Sequence, residues 1–178
     1  MRSAPILLAL LVMISIPGVS DETIEEVAKL VGSDLSPNER FGQRLVVSND
    51  TVIVGADWHE HAGVVSGAAY VFVSYGTNWV EQAELLASDG MQGDSFGGAV
   101  SGYRDVAVVG APLDDVSGMD SGSAYVFVRE GTTWTEQAKL VASDVAPGDW
   151  FGVSVAVFED TILDGSGKRI WSHRMENP

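Results

Sequence analysis

The side chains best placed to do chemistry are two histidines in a His-x-His pair, His59 and His61, on either side of Glu60. Imidazole is a zinc ligand, but zinc takes three or four ligands, and the chain has no cysteine to supply the others. The pair also misses the His-Glu-x-x-His spacing that puts two imidazoles on one helix face. The spacing therefore assigns no metal site. Carboxylates form a second set: Asp34 and Glu39, Asp89 and Asp94, and Asp144 and Asp149 each precede a Phe-Gly pair. They suit either a weak cation site or capping of a turn, where a carboxylate accepts backbone N–H bonds. The alternating-aspartate rhythm of a calcium loop is missing, so capping is expected. Asp114, Asp115 and Asp120 form a third set, but the matching positions of the preceding copy are His59, Glu60 and Val65. Chemistry common to both loops is therefore not expected, and these acids read as solvated loop residues. Weak calcium binding is the one cofactor chemistry these acids leave open; no cofactor is predicted.

No nucleophile elbow, phosphate loop or catalytic triad is present, and the third histidine, His173, lies far from the other two in sequence. No carboxylate pair sits in an apolar setting that would tune it for acid–base work. No catalytic residue is assigned, and the chain reads as a non-enzyme. Twenty-five acidic against ten basic side chains give a net charge of −15, which repels nucleic acid and anionic membranes. Asn49-Asp50-Thr51 fits the N-glycosylation acceptor pattern in an exposed turn.

What must position these residues is a repeat. Phe41-Gly42, Phe96-Gly97 and Phe151-Gly152 lie 55 residues apart, as do Gly55-Ala56 and Gly110-Ala111. Ala-Tyr-Val-Phe-Val spans 69–73 and 124–128, and Trp79 is matched by Trp134. Aligning 29–83 on 84–138 without a gap gives 23 identities in 55. Such self-similarity at a fixed period marks a repeat architecture. Each period reads as four antiparallel strands joined by hairpin-length turns. Strand one is 43–47 or 98–101, and strand two is 51–54 or 106–109. Strand three is 69–73 or 124–128, and strand four is 79–87 or 134–142. Asp50, Asp105 and Asp160 mark the turn after strand one. Strands two and three are apolar throughout, so both faces need cover. No segment after Ser20 has a helical period, which leaves sheet stacked on sheet, as in propeller blades. Tyr70, Phe72, Tyr125, Phe127, Trp79 and Trp134 recur in phase; they are expected in the core between sheets rather than in a sugar-binding row.

The first twenty residues stand apart. Arg2, the apolar run Ile6 to Ile16, the break at Pro17-Gly18 and the small residues before Ser20 read as a signal peptide cut near Ser20/Asp21. This eleven-residue stretch, apolar but for Ser15, is too short to span a bilayer, so no membrane insertion is expected after cleavage. Residues 21–40 then read as an isolated outer strand (Thr23 to Val31) and its connection. Residues 41–95 and 96–150 are complete repeats, 151–167 is a truncated third with strands one and two only, and 168–178 is a divergent tail.

Phe-Gly followed some twelve residues later by Gly-Ala-Pro, complete in Phe96-Gly97 and Gly110-Ala111-Pro112, resembles the FG-GAP repeat of integrin α-type propellers. The resemblance covers roughly Ile24 to Ser166. It implies β-propeller blades and an extracellular binding role. It carries over no calcium loop, because Ser48-Asn49-Asp50 is too short to wrap an ion. The expected fold is thus all-β, an incomplete propeller of about two and a half four-stranded blades. Truncation is the favoured reading of that shortfall, beside ring-completing oligomerisation and a short stable stack. The expected function is a secreted or cell-surface adhesion scaffold that meets an extracellular protein or carbohydrate through loops 57–67 and 112–122. The alternatives are a structural surface-layer protein, or a fragment of a larger propeller protein or propeller-bearing hydrolase. Open sheet edges add possible self-association.

Overall fold

The structure is a computed structural model that describes residues 10–11, 26–159, 161–165 and 169–172. Its elements are strands only: β1 (Leu10–Leu11), β2 (Lys29–Leu30), β3 (Arg44–Ser48), β4 (Thr51–Ala56), β5 (Glu60–His61), β6 (Val64–Val65), β7 (Ala68–Tyr75) and β8 (Asn78–Leu85). The second copy follows with β9 (Ala99–Tyr103), β10 (Val106–Ala111), β11 (Ser123–Glu130) and β12 (Thr133–Leu140), and the third with β13 (Val155–Phe158), β14 (Thr161–Asp164) and β15 (Arg169–Ser172). The chain is all-β, as the repeat requires.

The first two repeats form four-stranded antiparallel sheets of order β3-β4-β7-β8 and β9-β10-β11-β12. Their registers match across the 55-residue offset: Val54 opposes Tyr70 and Val109 opposes Tyr125. Even the bulge recurs, between Val71 and Phe72 and between Val126 and Phe127. The identical spacing of the two copies reflects identical pairing.

Two expectations change. The tail is not outside the fold: Arg169–Ser172 pairs antiparallel with β14 and gives the third sheet a strand in the place of strand three. Its register sets Leu163 opposite Ile170 and Ile162 opposite Trp171. The outer strand before the first repeat is paired in the full chain, Leu10–Leu11 against Lys29–Leu30, a partner that cleavage near Ser20 would remove. An unpaired edge offers a row of backbone N–H and C=O groups that favours such a partner. Residues 1–9 and 12–25, where most of the export signal would fall, lie outside the described residues.

The sheets stack face to face. One apolar cluster joins Ile53, Val71 and Val73 of the first sheet to Ala107, Val109, Tyr125 and Phe127 of the second. A second covers the first sheet's other face with Leu30 and Phe41 against Val52, Val54, Tyr70 and Phe72. A third joins Val108 and Val126 to Phe151, Val157 and Ile162 of the third sheet. Trp134 bridges sheets, donating its indole N–H to Gln82 at 2.9 Å. Among the described residues these are stacked blades of an incomplete propeller that form no closed barrel.

The Phe-Gly pair is the hinge between blades. Phe96 is fully buried, edge-on to Tyr125 (5.3 Å between centroids) and Phe127 (6.0 Å). Phe41 makes the same contacts with Tyr70 and Phe72. Gly97 has φ +90°, and a Cβ there would overlap the Ala68 carbonyl oxygen of the preceding blade. Its own carbonyl lies so close to Gly55 that a Cβ on Gly55 would overlap it. Phe-Gly and Gly-Ala are therefore two halves of one backbone contact.

Candidate functional site

At one end of each blade, three segments converge: the connection before Phe-Gly, the loop from strand two to strand three, and the end of strand four. The connections are turns closed by acids. Ser36, Met91 and Ala146 donate their backbone N–H groups to Glu39, Asp94 and Asp149 at 2.7–2.8 Å. Capping is thus what these three carboxylates do. The strand two–three loops also share a frame. His59 N–H donates to the Ala56 carbonyl and Gly67 N–H to the His59 carbonyl. Asp114 N–H and Gly122 N–H repeat both bonds, to Ala111 and Asp114. His59 and Asp114 are consequently equivalent, and both side chains turn inward and are buried. Glu84 and Lys139 are equivalent in turn, as the cross-strand partners of Tyr70 and Tyr125.

In the second blade the resulting bay holds an ammonium. Lys139 Nζ lies 2.7 Å from both Asp89 Oδ2 and Asp114 Oδ2. Tyr125 donates its hydroxyl to Asp89 at 2.7 Å and to Asp114 at 3.2 Å, and its ring centroid lies 5.2 Å from Nζ. Burial draws Lys139 toward its neutral form, but the bonds to Asp114, Asp89 and Tyr125 outweigh it, and the net shift is upward. Burial likewise pushes Asp89 up, while the bonds from Lys139 and Tyr125 hold it below the usual carboxylate range. Asp114 is therefore no solvated loop acid: it is a buried anion facing an internal cation, with Ser123 also donating to it.

The first blade keeps the bay and exchanges its contents. Tyr70 donates to Asp34 at 2.7 Å, as Tyr125 does to Asp89. The carboxylate of Glu84 takes the place of the ammonium, and the imidazole of His59 takes the place of Asp114. His59 is 1% exposed. Its Nδ1 lies 3.0 Å from Glu39 Oε2, and its Nε2 lies 3.1 Å from Glu84 Oε1 and 3.7 Å from Asp34 Oδ2. The short strands β5 and β6 lift His61 over the same bay, its Nδ1 3.7 Å from Glu84 Oε1. One ligand atom from each of Asp34, His59, His61 and Glu84 lies within 4.8 Å of all the others. Glu84 Oε1 is buried and accepts no hydrogen bond. Burial raises the Glu84 carboxyl, the Asp34 charge raises it further, and the two imidazoles offset part of this. Burial also pushes the Tyr70 phenol up, helped by its bond to Asp34.

The sequence singled out three of these four groups, His59 and His61 as a pair and Asp34 in a separate set of acids, and missed Glu84. Asp34 and Glu84 stand 25 residues away on either side of His59, so only the fold brings them in. A signal was present in the phase comparison, where Glu84 opposes Lys139 in an otherwise matched stretch. Phe72, Phe127, Trp79 and Trp134 and the Phe-Gly and Gly-Ala pairs lie in the apolar packing of the blades, apart from this bay, whereas Tyr70 and Tyr125 reach from that packing into it with their hydroxyls. Asp115 and Asp120 do not join Asp114; Asp115 caps its own loop by accepting the Asp120 N–H at 2.8 Å. Beside the first bay, Ser36, Pro37, Asn38, Glu39, Trp58, Glu60 and Val65 line a cleft of about 340 Å³. Trp58 is 49% exposed there, with the Arg40 guanidinium 3.7 Å from its ring centroid.

A family model described as the FG-GAP repeat matches residues 24–72, 79–127 and 134–168. The second and third matches open on Trp79 and Trp134, so the family unit runs from a strand four to the strand three of the next blade. No curated protein matches the chain.

Proposed function

The chain belongs to the FG-GAP repeat family, and on that footing we propose that it is a secreted, non-enzymatic binding scaffold whose ligand meets the loop end of the blades. One observation carries this reading: the sheets repeat in register while the loops at one end differ in nearly every side chain. Rigid elements with variable loops are the usual arrangement for recognition. The exposed Trp58, stacked with Arg40 at the rim of the cleft, is the kind of pair enriched where binding energy concentrates. The ligand class that fits is an extracellular protein or a carbohydrate. Export through cleavage near Ser20 belongs to the same reading.

The test is a screen of the purified protein against arrayed glycans and secreted proteins, repeated with Trp58→Ala and with loop 57–67 replaced by 112–122 together with Glu84→Lys, which supplies the cation that the transplanted loop's aspartate faces. A ligand that binds the parent and is lost from both variants, with thermal unfolding unchanged, supports the reading. Binding indifferent to both changes would sink it. Export is checked by N-terminal sequencing of the extracellular protein, expected to start at Asp21.

Self-association is a second reading, favoured by apolar side chains left on the two end sheets. Leu45 and Val47 of the first sheet and Phe158 and Leu163 of the third are all exposed. Sedimentation that stays monomeric across a concentration series would exclude it.

A further inference from the structure

We infer that the first-blade bay is a binding site for a divalent transition metal of the zinc class, held by Asp34, His59, His61 and Glu84, where the second blade carries the ammonium of Lys139 instead. Three observations lead there. The first is convergence: two imidazole nitrogens and two carboxylate oxygens from three separate segments lie within 4.8 Å of one another. Four ligands bonded to zinc at about 2.0–2.2 Å stand about 3.4 Å apart. The separations of 3.1, 3.7 and 3.7 Å seen between His59 and Glu84, His59 and Asp34, and His61 and Glu84 are close to that edge.

The second is support around the ligands. Glu39, fixed by the Ser36 and Glu60 backbone N–H groups, lies 3.0 Å from His59 Nδ1. A carboxylate on the far nitrogen sets the tautomer that leaves Nε2 with its lone pair toward the bay, the common arrangement for metal-bound histidine. Tyr70 orients Asp34 in the same way.

The third is the internal comparison. Both bays hold three carboxylates, Asp34, Glu39 and Glu84 against Asp89, Asp94 and Asp114. In the second, an ammonium lies 2.7 Å from two of them. In the first, the corresponding residue is itself an acid, whose buried oxygen accepts no hydrogen bond and has the ring nitrogens of His59 and His61 beside it at 3.1 and 3.7 Å. The fold therefore places a cation at this point of the repeat, and the first blade meets the same demand with ligands instead of a fixed charge. Imidazole nitrogen selects zinc-class ions over calcium, which takes oxygen. A bound ion would tie loop 57–67 to the connection before Phe41 and to β8. The inference concerns ion uptake and stands whether or not that loop recognises a ligand.

The experiment is calorimetric titration of zinc chloride into the chelator-stripped mature protein, with His61→Ala and Glu84→Lys as variants. His61 is half exposed, so its loss should spare the fold. Glu84→Lys installs the second blade's ammonium and should fill the bay from within. The expected result is one zinc per chain, at least tenfold weaker in His61→Ala, absent in Glu84→Lys, and unaffected by excess calcium. Thermal unfolding should shift upward with zinc most in the parent, less in His61→Ala and not at all in Glu84→Lys. Three outcomes would overturn the proposal: no zinc uptake; uptake indifferent to both substitutions; or calcium displacing zinc at equal concentration.

Discussion

Replacing Lys139 by methionine tests whether the second bay is held by its internal cation. Methionine keeps most of the apolar stem of lysine and deletes the ammonium, with its charge and its hydrogen bonds. The ammonium contacts two carboxylates at 2.7 Å each, but the two arms differ in worth. Asp89 is 53% exposed, and an exposed pair is worth about 0.2–1 kcal/mol. Asp114 is 9% exposed, and stranding a buried charge costs about 3–5 kcal/mol when nothing else serves it. Asp114 keeps the hydroxyls of Ser123 and Tyr125, which puts its arm below that range. The sum is about 2–3 kcal/mol, or a fall of roughly 5–10 °C in the midpoint for a chain of this size.

The pH dependence supplies a second readout. The folded Asp89 carboxyl lies below its unfolded value. Its pairing therefore stabilises the fold above about pH 4 and is lost as the pH drops through the depressed folded value. The gap between parent and Lys139→Met should be widest near neutrality and narrow below about pH 4. Thermal unfolding followed by circular dichroism at pH 7, 5 and 3, with chelator present, measures both. An unchanged midpoint at pH 7 would refute the reasoning, and so would a gap that stays constant down to pH 3.

Two further substitutions probe the blade junction. Gly97→Ala should cost about 2–4 kcal/mol, because it adds left-handed strain to a collision with the Ala68 carbonyl oxygen; chemical denaturation would show the midpoint moving, and an effect under about 1 kcal/mol would mean that the blades can slide apart freely. Phe96→Ala removes a fully buried ring that meets Tyr125 and Phe127 and should cost about 3–5 kcal/mol, with the same assay as its check.

The blade architecture was legible because its causes are local and repeated. Strands β4 and β7 are apolar on both faces, which forces stacked sheets, and the stacked clusters around Val71 and Val109 are that stacking. Phe-Gly and Gly-Ala recur because neither half of the junction works without the other. The tail strand was illegible for the opposite reason. Arg169–Ser172 is placed by pairing with β14, not by any recurring motif, so comparison with the other copies carries no trace of it.

The bay was hidden for a subtler reason. Identities between copies locate the parts held in common, and those are the scaffold. The bay shares Asp34 with Asp89 and Tyr70 with Tyr125, but its other ligands stand at positions where the copies disagree, and the disagreements are coordinated. Aspartate in the loop with lysine on strand four becomes histidine in the loop with glutamate on strand four. Each exchange alone would put two like charges together or leave a buried charge unpaired. Asp114 with a glutamate at 139 would face a second anion, and Lys139 with a histidine at 114 would lose its most buried partner. The pair must change together, and the shared Tyr70 and Tyr125 frame records that it did. His61, matched by Val116, is the one change that this exchange of acid and base does not require. It adds a fourth ligand where an ion pair needs none, and that surplus is what separates a bay built for a metal from one that has merely swapped its charges.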